Sequence, residues 1–210
     1  MARSEKFEED LKTLISILRQ GMAPDHVVTL CNLMNQLVEL HRHNIVKINH
    51  SVMELICAKY LIERGYQVEI EKPLAPSLTC DLFGVKGYGS LIVEIETGFV
   101  PPEHALDPQT YLAARIASKI VRYSSFADKF ALGFPPYYFV QFPEFFAQPT
   151  KARKKEDLIN IKKLCDRYYR NPPVSLKEIE TARVHAVYVI DVDSASVREV
   201  DPEDYIKKAS

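Results

Sequence analysis

The chain has 210 residues, with 27 basic and 28 acidic side chains and a net charge of −1. That balance excludes a uniformly basic nucleic-acid binder of the histone kind, but it allows a local basic patch beside an acidic site. Hydrophobic residues make up 47% and charged residues 26%, which excludes wholesale disorder. No apolar run approaches the ~20 residues that cross a bilayer. The charged start Met1-Ala2-Arg3-Ser4-Glu5-Lys6 has no apolar signal core, so a cytoplasmic location is expected. Cys31, Cys57, Cys80 and Cys165 form no CxxC pair, which argues for buried thiols over a structural zinc site.

Residues 5–20 place Phe7, Leu11, Leu14, Ile15 and Leu18 at helical spacing, with Gly21 as the stop. Pro24 and Asp25 open a second helix whose stripe is Val27, Val28, Leu30, Leu33, Met34, Leu37 and Leu40. A third helix runs from about Asn49 to Arg64, capped by Asn49 or Ser51 and stopped by Gly65. The period then falls from 3.6 to 2. Residues 66–70 read as a strand, Pro73 and Pro76 as a loop, residues 78–83 as a second strand and residues 90–97 as a third. The glycine-rich turn at residues 84–89 joins strands two and three as a hairpin. After a loop at 98–108, residues 109–132 read as one long helix and the aromatic run 137–142 as a strand. Residues 151–170 read as a basic helix ended by Asn171-Pro172-Pro173, and residues 184–190 as a last strand. The expected fold is a mixed α/β sheet with helices on both faces, in a single domain. Residues 1–45 are a helical extension, 46–145 the core, and 146–210 the basic helix with the final strand.

The informative segment is Asp81 with Glu94-Ile95-Glu96. Side chains at i and i+2 of a strand share a face, so Glu94 and Glu96 project together. A hairpin symmetric about 86–89 sets Asp81 opposite Glu94, with Cβ atoms about 4.5–5.5 Å apart. Opposed like charges are destabilising unless a cation or a proton sits between them. Mg2+ suits such an oxygen set, and Mn2+ behaves similarly. The plainer alternative is a solvated strand face. The nearly continuous apolar run Leu91-Ile92-Val93 argues against it, because a buried strand would be harmed by idle carboxylates.

A helix ending in Gly-aromatic, a short strand, an Asp in a second strand, the place of a (D/E)-x-K motif in a third, then a helix and a strand resembles the PD-(D/E)xK nuclease superfamily. Archaeal Holliday-junction resolvases and restriction-type endonucleases belong to it. The resemblance spans roughly residues 50–142. It implies a restriction-endonuclease-like αβββαβ core with added N-terminal and C-terminal helices, and Mg2+- or Mn2+-dependent cleavage of DNA, branched DNA included. Asp81 and Glu94 would then hold the metal, and Glu54, on the helix before the first strand, would complete the site. Two positions depart from the pattern: Cys80 replaces the Pro, and Glu96 stands where the Lys is expected. Glu96 itself, or Lys119 from the following helix, would orient the attacking water. His50 at a helix start is either incidental or a proton carrier. The departure at Glu96 keeps a second reading open, a nuclease fold that binds DNA or a protein without catalysis.

Arg115, Lys119 and Arg122 share one helix face, and Lys151, Arg153, Lys154 and Lys155 lead into the basic helix. With Lys86 in the hairpin turn, the arginines and the other lysines are expected to contact phosphates. Tyr168 and Tyr169 are either base-stacking rings or buried helix residues. The stripes of the first two helices serve either as a homodimer interface, as in junction-cutting relatives, or as a cap on the domain.

Overall fold

Residues 3–209 are described by a computed structural model. Three helices come first: α1 (Arg3–Leu18), α2 (Pro24–Arg42) and α3 (Ile48–Glu63). Strands β1 (Gln67–Ala75), β2 (Leu78–Lys86) and β3 (Gly89–Ile95) follow as a meander. Helix α4 (Pro108–Tyr123) crosses to β4 (Lys129–Phe134). Helices α5 (Lys155–Tyr168) and α6 (Leu176–Thr181) lead to β5 (Ala186–Asp191), β6 (Ser196–Val200) and α7 (Pro202–Ala209). The six strands lie in sequence order in one sheet. β3, β4 and β5 are parallel, and the flanking pairs are antiparallel. This is a mixed α/β fold with helices on both faces, as the element order predicted. Among the described residues no helix is long and apolar enough to cross a membrane.

Two cores flank the sheet. On one side Ile70, Leu82, Val93, Ala131 and Ile190 pack against α3, with α1 and α2 behind it. On the other, Ile92, Phe130, Leu132 and Val187 pack under α4, α5 and α6. Helix α3 is therefore sandwiched and buried around most of its circumference, which is why its sequence shows little amphipathic contrast. The stripes of α1 and α2 (Phe7, Leu11, Leu18, Leu30, Leu37) are buried inside the same core. They form part of this layer and do not present an open face, although Val28 points outward.

Several boundaries differ from the sequence reading. The helix expected to reach Leu132 stops at Tyr123, and residues 129–134 form the central strand β4. Buried on both faces between parallel neighbours, Phe130-Ala131-Leu132 lacks alternation and reads like a buried helix segment. The aromatic run 137–142 is a loop between Pro135-Pro136 and Pro143, not a strand. There the Tyr205 hydroxyl of α7 accepts from the Val140 N–H and donates to its carbonyl, in place of a neighbouring strand. β1 continues through Pro73, which an edge strand tolerates, with an irregular register at Pro73–Ala75. α3 begins after Lys47 with no side-chain cap; neither Asn49 nor Ser51 serves. α6, β6 and α7 were not expected. The first is set by a capping box between Ser175 and Glu178.

Candidate metal centre

The site forms where the sheet comes apart. Lys86 pairs with Gly89 across the two-residue turn Gly87-Tyr88, and the β2–β3 ladder is regular up to Leu82 opposite Val93. The next position is Asp81 opposite Glu94, as the hairpin symmetry predicts, but here side chains replace backbone partners. The Asp81 N–H donates to Glu94 Oε1 at 3.1 Å, and the Ile95 N–H donates to Asp81 Oδ2 at 2.5 Å. On the other edge of β2, Ile70 pairs with Leu82 and Lys72 with Cys80, skipping Glu71 opposite Asp81. Glu71 has φ +46°, a left-handed conformation that costs a non-glycine residue about 1–2 kcal/mol. The rotation turns its carboxyl away from the outward row of Glu69. Through this gap α3 reaches Asp81 from one face of the sheet and α4 from the other.

On the α3 side, His50, Glu54, Glu71 and Asp81 each offer a ligand atom, all within 4.8 Å of one another. His50 Nδ1 lies 3.1 Å from Glu54 Oε1. Its Nε2 lies 3.2 Å from the Ile95 carbonyl and 3.5 Å from Asp81 Oδ2. Burial alone would lower the His50 pKa, but the charges of Asp81 and Glu54 outweigh it and push the imidazole up to about 10. Glu54 is fully buried, with Oε1 against His50 and the Glu71 carboxyl as its other hydrogen-bond partner. Burial raises its pKa while His50 pulls the other way. Glu71 is pushed up to about 8 by burial and by the charges of Glu54 and Asp81.

On the α4 side, Lys119 Nζ sits 2.7 Å from Glu96 Oε1, 3.0 Å from Glu94 Oε2 and 3.9 Å from Asp81 Oδ2. Burial works against its charge, yet these carboxylates hold it well above the ordinary lysine value. Arg115 Nε adds a second cation 3.2 Å from Glu96. Glu94, 1% exposed, is raised to about 8 by burial and by Asp81, against the pull of Lys119. The whole cluster gathers five carboxylates, Glu54, Glu71, Asp81, Glu94 and Glu96, around three cations, His50, Arg115 and Lys119. Below about pH 8, with Glu71 and Glu94 holding protons, three carboxylates face three cations; ionising both leaves an excess of two negative charges, which one divalent ion would neutralise. At the α3 half, one imidazole and three carboxyl groups form a mainly oxygen donor set that could hold a metal ion.

Asp81, Glu54, Glu94, Glu96 and Lys119 are thus brought together. Glu94, however, lies outside the group of converging ligand atoms, because its two oxygens are taken by the Asp81 N–H and by Lys119. Glu71 and His50 occupy the places beside Asp81 instead. His50 was legible only as a helix-start histidine four residues before Glu54. Glu71 carried no signal, since it continues the outward row of Glu69 in a regular strand pattern. The basic residues are dispersed. Arg115 is engaged with Glu96 and the Phe99 carbonyl. Arg122 binds the Pro172 carbonyl, and Arg153 binds those of Gln148 and Glu180. Lys86 is at the hairpin tip, five residues and roughly 17 Å along the strand from Asp81. Lys151, Lys154 and Lys155 are exposed at the start of α5. Tyr168 and Tyr169 pack on Tyr111.

No protein-family model matches the chain, and no curated protein does. A solved chain of the CdiA-CT/CdiI toxin and immunity complex from Burkholderia pseudomallei is 14% identical, with 73% of this chain and 86% of that chain covered. Its TM-score of 0.29 carries no argument about fold or function.

Proposed function

We propose that this chain is a Mg2+- or Mn2+-dependent DNA endonuclease. The observation that carries the reading is the convergence of a fully buried Glu54 carboxyl with Asp81, Glu71 and His50, each offering a ligand atom within 4.8 Å of the others. Asp81, Glu54 and Glu71 would hold the ion, and His50 would hold or release a proton beside them. A divalent ion there supplies an acidified water and charge stabilisation for phosphodiester hydrolysis. Lys119 takes the part that the superfamily resemblance gives to a strand lysine. It reaches from α4 to the Glu96 carboxylate, which stands where that lysine is expected. It holds Glu94 and Glu96 in place and presents an ammonium beside Asp81. His50 on the α3 half and Lys119 on the α4 half keep 25% and 18% of their side-chain surfaces exposed, so each half meets solvent at its edge.

The test is incubation of the full chain with branched, single-stranded and duplex DNA in Mg2+ or Mn2+. Cleavage lost in Asp81→Asn is expected. No cleavage of any substrate, together with no Mn2+ binding by calorimetry, refutes the proposal. A second reading, a noncatalytic DNA-binding module, is favoured by Glu96 in the lysine position and by the pairing of Arg115 and Lys119 with carboxylates. It predicts DNA binding that survives Asp81→Asn with Glu94→Gln, and no nicking by the unaltered chain.

A further inference from the structure

Beside the acidic cluster, the loops leaving β3, β4 and β5 enclose a groove of about 560 Å3, within the range of roughly 300–1,000 Å3 usual for small-ligand sites. It lies at the carboxyl ends of the parallel strands, where α/β sheets commonly bind ligands. Its wall starts one residue past Glu96, at Thr97, Gly98 and Phe99, and it touches the neighbours of His50 and Glu54 on α3, Asn49 and Met53. Tyr137 stands on the opposite loop.

Two features of this groove point to a flat, uncharged ligand. Phe99 and Tyr137 are 60% and 83% exposed. Among the described residues neither stacks on another aromatic ring. Gly98, at φ +78°, lies so close under Tyr138 that a Cβ there would meet the ring at 2.8 Å, so the residues flanking the two exposed rings are locked together. The lining contains Asp191 and Asp193 but no basic residue. The two carboxylates repel phosphate; Asp191 Oδ1 already accepts from the Asp193 and Ser194 N–H groups, and the acceptors left suit the exocyclic amino groups of a base. A cation for the backbone stands at the rim, where Lys47 Nζ is 6.0 Å from the Phe99 centroid.

We propose that this groove takes an unpaired nucleobase of a strand whose phosphate rests at the Asp81 cluster, with Phe99 and Tyr137 as its stacking faces. Only the position of the phosphate rests on the nuclease reading; the stacking site does not. The substrate class is then single-stranded or splayed nucleic acid, because a base inside a continuous duplex is already stacked and paired.

The test uses the full-length Asp81→Asn chain, which keeps the side-chain carbonyl and removes one charge and cleavage. Oligonucleotides carrying 2-aminopurine are titrated as single-stranded DNA, single-stranded RNA and blunt duplex DNA. Quenching on a single strand and tighter binding of it than of duplex are expected. Phe99→Ala and Tyr137→Ala, both at exposed rings, each weaken single-strand binding by about tenfold and leave duplex binding unchanged. Quenching by DNA, RNA or both supports the proposal, and the better of the two identifies the strand. Absence of quenching, or ring variants that bind like their parent, overturns it. Cleavage by the unaltered chain is read separately. Stacking with neither cleavage of any substrate nor Mn2+ binding refutes the nuclease reading alone, and cleavage without stacking refutes this proposal alone.

Discussion

Replacing Glu94 with Gln should stabilise the protein, and increasingly so as the pH rises. Glu94 is 1% exposed and its pKa is raised to about 8 by burial and by Asp81. Below pH 4.5 the folded and unfolded chains both hold the proton, and Glu94 contributes no pH dependence. Between 4.5 and about 8 the unfolded chain gives up the proton while the folded chain keeps it, so stability falls. Above 8 the full penalty is present. At about 1.36 kcal/mol per pKa unit its ceiling is about 4–5 kcal/mol. Glutamine is nearly isosteric and still accepts from the Asp81 N–H, but it gives up the charge opposite Lys119 Nζ at 3.0 Å. Lys119 keeps Glu96 at 2.7 Å, so this loss is partial. The expected gain is about 2–4 kcal/mol at pH 8 and close to zero at pH 5. Urea denaturation at the two pH values, without divalent ions, measures it. A variant less stable than the parent at pH 8, or a difference that does not change with pH, refutes the reasoning.

Other perturbations separate the two halves of the cluster. Lys119→Met leaves buried carboxylates uncompensated and should cost about 3–5 kcal/mol above pH 8, less at pH 5 where the carboxyls take up protons; denaturation midpoints check it. Adding Glu96→Lys to that variant should recover part of the stability and of any cleavage, as a lysine then rises from the strand itself. Because Glu71 holds its proton up to about pH 8, Mn2+ must displace it, and affinity should climb roughly tenfold per pH unit between 6 and 8 for each proton released. Calorimetry in buffers of different ionisation enthalpy counts those protons, and a flat profile would count against Glu71 as a ligand. Gly98→Ala should lower stability by about 1–3 kcal/mol through its positive φ and the Tyr138 contact, as read by thermal melting.

What the sequence revealed depended on how locally each residue is specified. Asp81 opposite Glu94 was legible because a two-residue turn fixes the register of the whole hairpin. Lys119 was legible because helical spacing ties it to Arg115 and Arg122. β4 was missed because a strand buried on both faces has no period to read, and the helix before it ends without a glycine. Glu71 was missed because one residue of left-handed backbone reverses its direction, and nothing in Glu69-Ile70-Glu71-Lys72 announces that turn. The groove beside the cluster depends on Gly98 meeting Tyr138, forty residues away in sequence.

The clip at Asp81 also ties occupancy of the site to the mechanics of the sheet. The two side chains that close β2 onto β3 there belong to the acidic cluster itself, so a ligand that draws Asp81 away loosens the amide of Ile95. Hydrogen exchange at that amide becomes a built-in reporter of loading. An alanine at position 81 unfastens the seam as well as emptying the charge, which is why the amide side chain, not alanine, is the cleaner probe of chemistry here.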